Sequence, residues 1–231
     1  MNFPILLFGT AAGWNFSLLL RILVALGGAF LWLRELGRSR FAATLGAVGF
    51  SLSGPFIAWL EHTHSATAAP IPLLLYFISR LSREPTGKNI AGIAFSTWFI
   101  LVGGHPETAL LAAMIALGLV CVRFPTAGKG ARAVGAAILG AGLASPFLFP
   151  FLEYYSLSEA RLGIARHGFT LPARDLLRFL DPKLAGSNPI EGAATVSIAV
   201  LLLVPFGLAR IRTDRDSKFW CGVIFVTALV A

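Results

Sequence analysis

Apolar residues run through this chain in long blocks, and polar residues are confined mostly to the short connections between them. Runs long enough to cross a bilayer, allowing for tilt and short helices, occupy 16–33, 41–60, 66–80, 90–104, 106–123, 131–152 and 193–209, with an incomplete run at 219–231. The pattern predicts an all-α polytopic transmembrane helix bundle of about eight helices, the last truncated, built as one transmembrane domain over 1–231. Prolines punctuate it. Pro70 and Pro72 stiffen the start of the third helix, and Ser51, Ser53 and Gly54-Pro55 read as a packing notch and kink in the second. The organising stretch is 140–163, where an apolar helix broken by Pro146 and Pro150 leads into a polar, aromatic segment. The polar stretch continues to about Gly192. Within it, 171–180 has apolar positions at 171, 176, 177 and 180, the pattern of a helix lying on a membrane surface.

Composition agrees with the pattern. With 56% hydrophobic and only 13% charged residues in 231, the chain is too apolar for a soluble domain of this length. A formal charge of +8 would suggest nucleic acid if it formed a patch on a soluble domain. Here the cations sit in short clusters between apolar runs, which excludes nucleic acid as the expected partner and points to membrane topology. Cys121 and Cys221 both lie in apolar runs, so neither a disulfide nor a thiolate metal site is expected. No secretory signal peptide stands out before Arg21, the first cation.

The cations also set an orientation. The alternate loops 34–40, 80–88, 123–132 and 210–218 hold thirteen of the 19 Lys and Arg residues and four acids. The opposite loops, 61–65, 105–107 and 153–192, hold five cations and seven acids. Loops rich in Lys and Arg stay cytoplasmic, so the N-terminus and the 153–192 segment are expected on the extracytoplasmic side of a bacterial inner membrane. All four histidines, His62, His64, His105 and His167, fall on that side, as do Glu61, Glu107, Glu153 and Glu159.

Three groups of residues could carry chemistry there. His62 and His64 beside Glu61, with His105 and Glu107 in the GGHPE loop, could bind a divalent cation or share a proton. Equally, Pro106 and Glu107 suit the first turn of a helix. Glu153, Tyr154, Glu159 and Arg161 sit where interface anchors are expected, yet a carboxylate at a helix mouth with an arginine eight residues on could hold a sugar hydroxyl or a phosphate. Arg21 lies five residues into the first run. It is expected to snorkel outward to headgroups, the alternative being to face the bundle and meet a lipid phosphate. No GxGxxG, Walker loop, HExxH or CxxC occurs, so soluble nucleotide or zinc chemistry has no support.

Several stretches carry a resemblance. FSLSGPFIAW at 50–59, the loop at 62–65, PIPLLL at 70–75, GHPETAL at 104–110, ASPFLFPFLEYYSLSEAR at 144–161, DLLRFLDPKLAG at 175–186 and the turn at 191–194 together resemble the YfhO-like family of bacterial membrane proteins. That family is similar to the GT-C glycosyltransferases. The resemblance implies an enzyme that takes a sugar from a polyprenyl-phosphate donor and attaches it to a cell-envelope acceptor at the outer face, in contact with membrane lipids. It also implies that the catalytic acid sits in an outer loop upstream of Met1, so the chain is expected to be a fragment lacking that loop and the C-terminal part. The rival readings are a transporter or lipid flippase and a non-enzymatic membrane assembly factor.

Overall fold

The structure, a computed structural model, describes residues 3–124, 126–158, 218, 220 and 221. Among them every regular element is a helix: α1 (Phe3–Phe8), α2 (Thr10–Glu35), α3 (Arg40–Ser51), α4 (Gly54–Ala58), α5 (Thr63–Ala68), α6 (Ile71–Arg83), α7 (Gly87–Leu101), α8 (Pro106–Arg123), α9 (Ala127–Leu143) and α10 (Ser145–Leu157). The chain divides into two compact units, Met1–Ser145 and Pro146–Ala231.

Local chemistry explains where the predicted runs break. The run at 41–60 is two helices. α3 starts on Ser39, whose side chain accepts from the Ala42 amide, and stops at Leu52; α4 restarts with a proline in its first turn. Likewise 66–80 becomes α5 and α6, separated at Pro70, with Pro72 inside the first turn of α6. α7 is capped by the Thr86 hydroxyl, and α8 begins and ends where the apolar pattern places it. The run at 131–152 breaks at Ala144 into α9 and α10, and Pro150 is accommodated inside α10.

Among the described residues two helices, α2 and α8, are long and apolar enough to cross a membrane. A third span is added if Gly130–Leu143 and Ser145–Leu157 count as one. Among these residues the membrane assignment therefore rests on two or three helices. The run at 193–209, most of that at 219–231 and the surface helix at 171–180 lie outside the described residues. Leu23, Leu110, Met114, Leu117 and Ile138 are exposed, as side chains that meet lipid are.

In the first unit α2 packs on α1, α3 and α6; α6 also meets α7 and α8, and α9 lies along α7. Ala25, Phe56, Ala68 and Ala69 form a core cluster, with Ile22, Phe50, Leu60 and Ile71 packed around it. Heights along these helices matter for the site. At 1.5 Å per residue the 26 residues of α2 rise about 39 Å, whereas the 12 of α3 and the 13 of α6 rise only about 18 and 20 Å. The chain therefore turns, through α4 and α5, well short of the full height of α2.

Close helix contact depends on small residues, since helices packed in lipid gain little from apolar burial alone. At Gly140 of α9 a β-carbon would collide with the Ala94 carbonyl of α7, whereas at Gly135 it would meet nothing. Gly140→Leu is therefore expected to lower stability by about 1–3 kcal/mol, while Gly135→Leu leaves it nearly unchanged. Thermal unfolding of both variants in detergent checks the pair.

Candidate functional site

Arg21 lies eleven residues after the start of α2 and fourteen before its end, and its side chain is buried. It does not snorkel. One terminal nitrogen, NH1, donates to the carbonyls of Leu60 at 2.6 Å and His62 at 2.9 Å and to Ser65 Oγ at 3.1 Å. The guanidinium also stands over the Trp14 ring, 5.8 Å from its centroid. The expected outward reach fails for a positional reason. The helix begins at Thr10, so Arg21 is about 16 Å from its start instead of about 7.5 Å, too deep for the side chain to leave.

The turn that Arg21 holds carries the next group. Ser65 Oγ lies 2.8 Å from the Leu60 carbonyl and 3.1 Å from that of His62, adding a second donor to the turn. Trp59 packs against the rings of both His62 and His64, at 5.0 and 6.0 Å. His64 reaches across to α8, where its ring meets His105 edge-on at 5.2 Å. Thr108 Oγ1 lies between them, 2.9 Å from Nδ1 of each imidazole.

Two glycines bring the α8 end into place. A β-carbon at Gly103 would collide with Thr67 Oγ1, and Gly104 takes a positive φ of 85° that lets the chain turn into α8. The His105 amide then donates to Thr67 Oγ1 at 3.2 Å, and His105 Nδ1 caps α8 by accepting from the Thr108 amide at 3.3 Å. Burial, and in smaller part the neighbouring His105, hold the His64 imidazole below its ordinary pKa.

The residues suggested for a cation do not converge. His62 and Glu107 are exposed, and among the described residues no three His, Cys, Asp or Glu side chains gather around a point that could hold a metal ion. Only His64 and His105 come together. Glu61 is exposed, as are Glu153 and Tyr154 on α10 of the second unit. Glu159, Arg161 and His167 lie outside the described residues. Ser65, Thr67 and Thr108 complete the polar group and carried no signal as ligands. Thr108 was nonetheless readable, since it stands three residues after His105 at the head of a helix, the spacing at which a capping side chain meets a backbone amide.

Beside Arg21 is a cavity of about 580 Å³. Leu7 and Phe8 of α1, Phe16 and Leu20 of α2, and Trp98 and Phe99 of α7 give it an apolar wall, against which Ser17 and Arg21 are its polar members. Both are buried, and Arg21 Nε has no hydrogen-bond partner. The volume is that of a small-molecule site. No family model, curated protein or solved structure matches the chain, so the likeness to the YfhO-like family stands on the quoted residues alone.

Two outcomes test this geometry. Arg21→Met leaves the Leu60 and His62 carbonyls short of a buried donor and is expected to cost on the order of 3 kcal/mol in thermal unfolding. For His64, the folded pKa is below the unfolded value of about 6.5, so the unfolded chain binds more protons in between. Its contribution to stability is complete above about pH 6.5 and is lost as the pH falls through the lower folded value. Unfolding of wild type and His64→Gln across this range should show a drop in the first that the second lacks.

Proposed function

We propose that this chain is part of a GT-C-like membrane glycosyltransferase that takes a sugar from a polyprenyl-phosphate donor and attaches it to a cell-envelope acceptor at the outer face of a bacterial inner membrane. One observation carries the reading: a buried arginine, Arg21, among the lining residues of an otherwise mainly apolar cavity of about 580 Å³. Apolar walls suit an isoprenoid tail. A buried cation suits the phosphate, which gains most from a donor that water does not reach. In this reading the donor is held from tail to phosphate by α1, α2 and α7 of the first unit.

A second reading is favoured by the depth of Arg21. An ionisable residue buried halfway along a helix of spanning length is a common mark of a transport path, here for an intact lipid phosphate. The two readings share the cavity and differ in what happens to the sugar.

Binding of a short polyprenyl phosphate to the full chain in nanodiscs, followed by tryptophan fluorescence, tests the cavity. The phosphate is expected to bind at least tenfold more tightly than the matching polyprenol. Leu20→Trp, which narrows the cavity at its apolar wall, should weaken both. Equal binding of phosphate and alcohol removes Arg21 from the site. Appearance of the sugar on a hydroxyl acceptor then identifies the transferase, and movement of the intact donor between leaflets of proteoliposomes identifies the transporter.

A further inference from the structure

We propose that His64, Thr108 and His105 form a directional proton relay, an acid–base site whose accepting end is His64 Nε2 and whose releasing end is His105 Nε2. The direction follows from the helix cap. The Thr108 amide donates to His105 Nδ1, so that nitrogen carries a lone pair and the His105 proton is on Nε2. Thr108 Oγ1 lies 2.9 Å from the same Nδ1, and two lone pairs do not approach that closely without a proton between them. The hydroxyl proton must therefore point to His105. That leaves Thr108 Oγ1 as an acceptor toward His64 Nδ1, also at 2.9 Å, so His64 carries its proton on Nδ1 and a lone pair on Nε2.

The step balances. A proton taken at His64 Nε2 from a hydroxyl group releases the Nδ1 proton to Thr108 Oγ1. Thr108 passes its own hydroxyl proton to His105 Nδ1, and His105 gives up the proton on Nε2. One proton enters and one leaves, and no bond between heavy atoms changes. A hydroxyl flanked by two free imidazoles runs equally well either way. Here a protonated His105 Nδ1 leaves the Thr108 amide without its acceptor, so the resting tautomers are the favoured ones; they are regained when His105 takes up a proton at Nε2 and His64 Nε2 gives one up. His64 and His105 are both half-buried.

The charged and titratable groups around His64 are few. Glu61 and His62 lie on the turn before it, and His105 and Glu107 at the start of α8. Arg21 of α2 is engaged by the Leu60 and His62 carbonyls, and α4 and the nearer end of α7 contribute none. This site is independent of the lipid-phosphate reading, because none of its three side chains lines the cavity beside Arg21.

Proton-detected two-bond nitrogen spectra of the histidine-labelled full chain in detergent micelles separate the two tautomers of each ring. His64 is expected as the Nδ1–H form, the minor one in free imidazole, and His105 as the Nε2–H form. In Thr108→Val, His64 reverts to mainly Nε2–H, while His105 keeps Nε2–H because the backbone amide of residue 108 still caps it. The unchanged His105 signal reports that the helix start is intact. Thr108→Ser restores the wild-type pattern, so the hydroxyl is tested even if the valine variant does not fold. His64 as Nε2–H in the wild type, or an unchanged His64 tautomer in Thr108→Val, overturns the relay.

Discussion

A backbone turn packed against an apolar helix needs donors for its carbonyls, and in this protein Arg21 supplies them. The Leu60 and His62 carbonyls are part-buried against the middle of α2. One guanidinium nitrogen satisfies both and holds Ser65 as well. The rest of the site is built out from that contact. Trp59, His62 and His64 are carried by the turn that Arg21 pins, and only from that position can His64 meet the head of α8. A lysine could supply charge at the same place, but not the planar fork of donors that a guanidinium presents.

The same arginine therefore has two audiences. Its NH1 serves the fold, and the residue also lines a cavity whose other walls are mainly leucine, phenylalanine and tryptophan. Structural polar groups in membrane helices are normally saturated by the protein itself. A cation left partly unsatisfied beside apolar space is the arrangement that a buried anionic headgroup would complete.

Much of the architecture was legible in the sequence, because hydropathy in long runs reflects the strongest constraint on the chain. The helix at 106–123 was readable to the residue, since Pro106 and Glu107 mark its first turn and Arg123 its last. The break at Ser53 was visible only as a kink, and Pro70 as the stiff start of a helix. Whether a proline bends a helix or divides it depends on whether neighbouring groups can satisfy the freed carbonyls, and local sequence does not show those groups. The depth of Arg21 was misjudged for a related reason. Thr10, Gly13 and Asn15 dilute the apolar pattern at the start of α2, so the helix looked shorter than it is. His64 and His105 were singled out, but their connection runs through a threonine whose value lies only in geometry.

The short rise of α3 and α6 has a mechanical consequence for the surrounding bilayer. A hydrocarbon core of about 30 Å is roughly 10 Å taller than either helix. Wherever these helices meet lipid, the acyl chains must compress, or another protein surface must take their place. Compression costs a fraction of a kcal/mol per Å of mismatch, which is enough to sort proteins among membranes of different thickness. The half-height hairpin thus sets a preference for thin or deformable bilayers, and lipids crossing its rim would find the local membrane already narrowed.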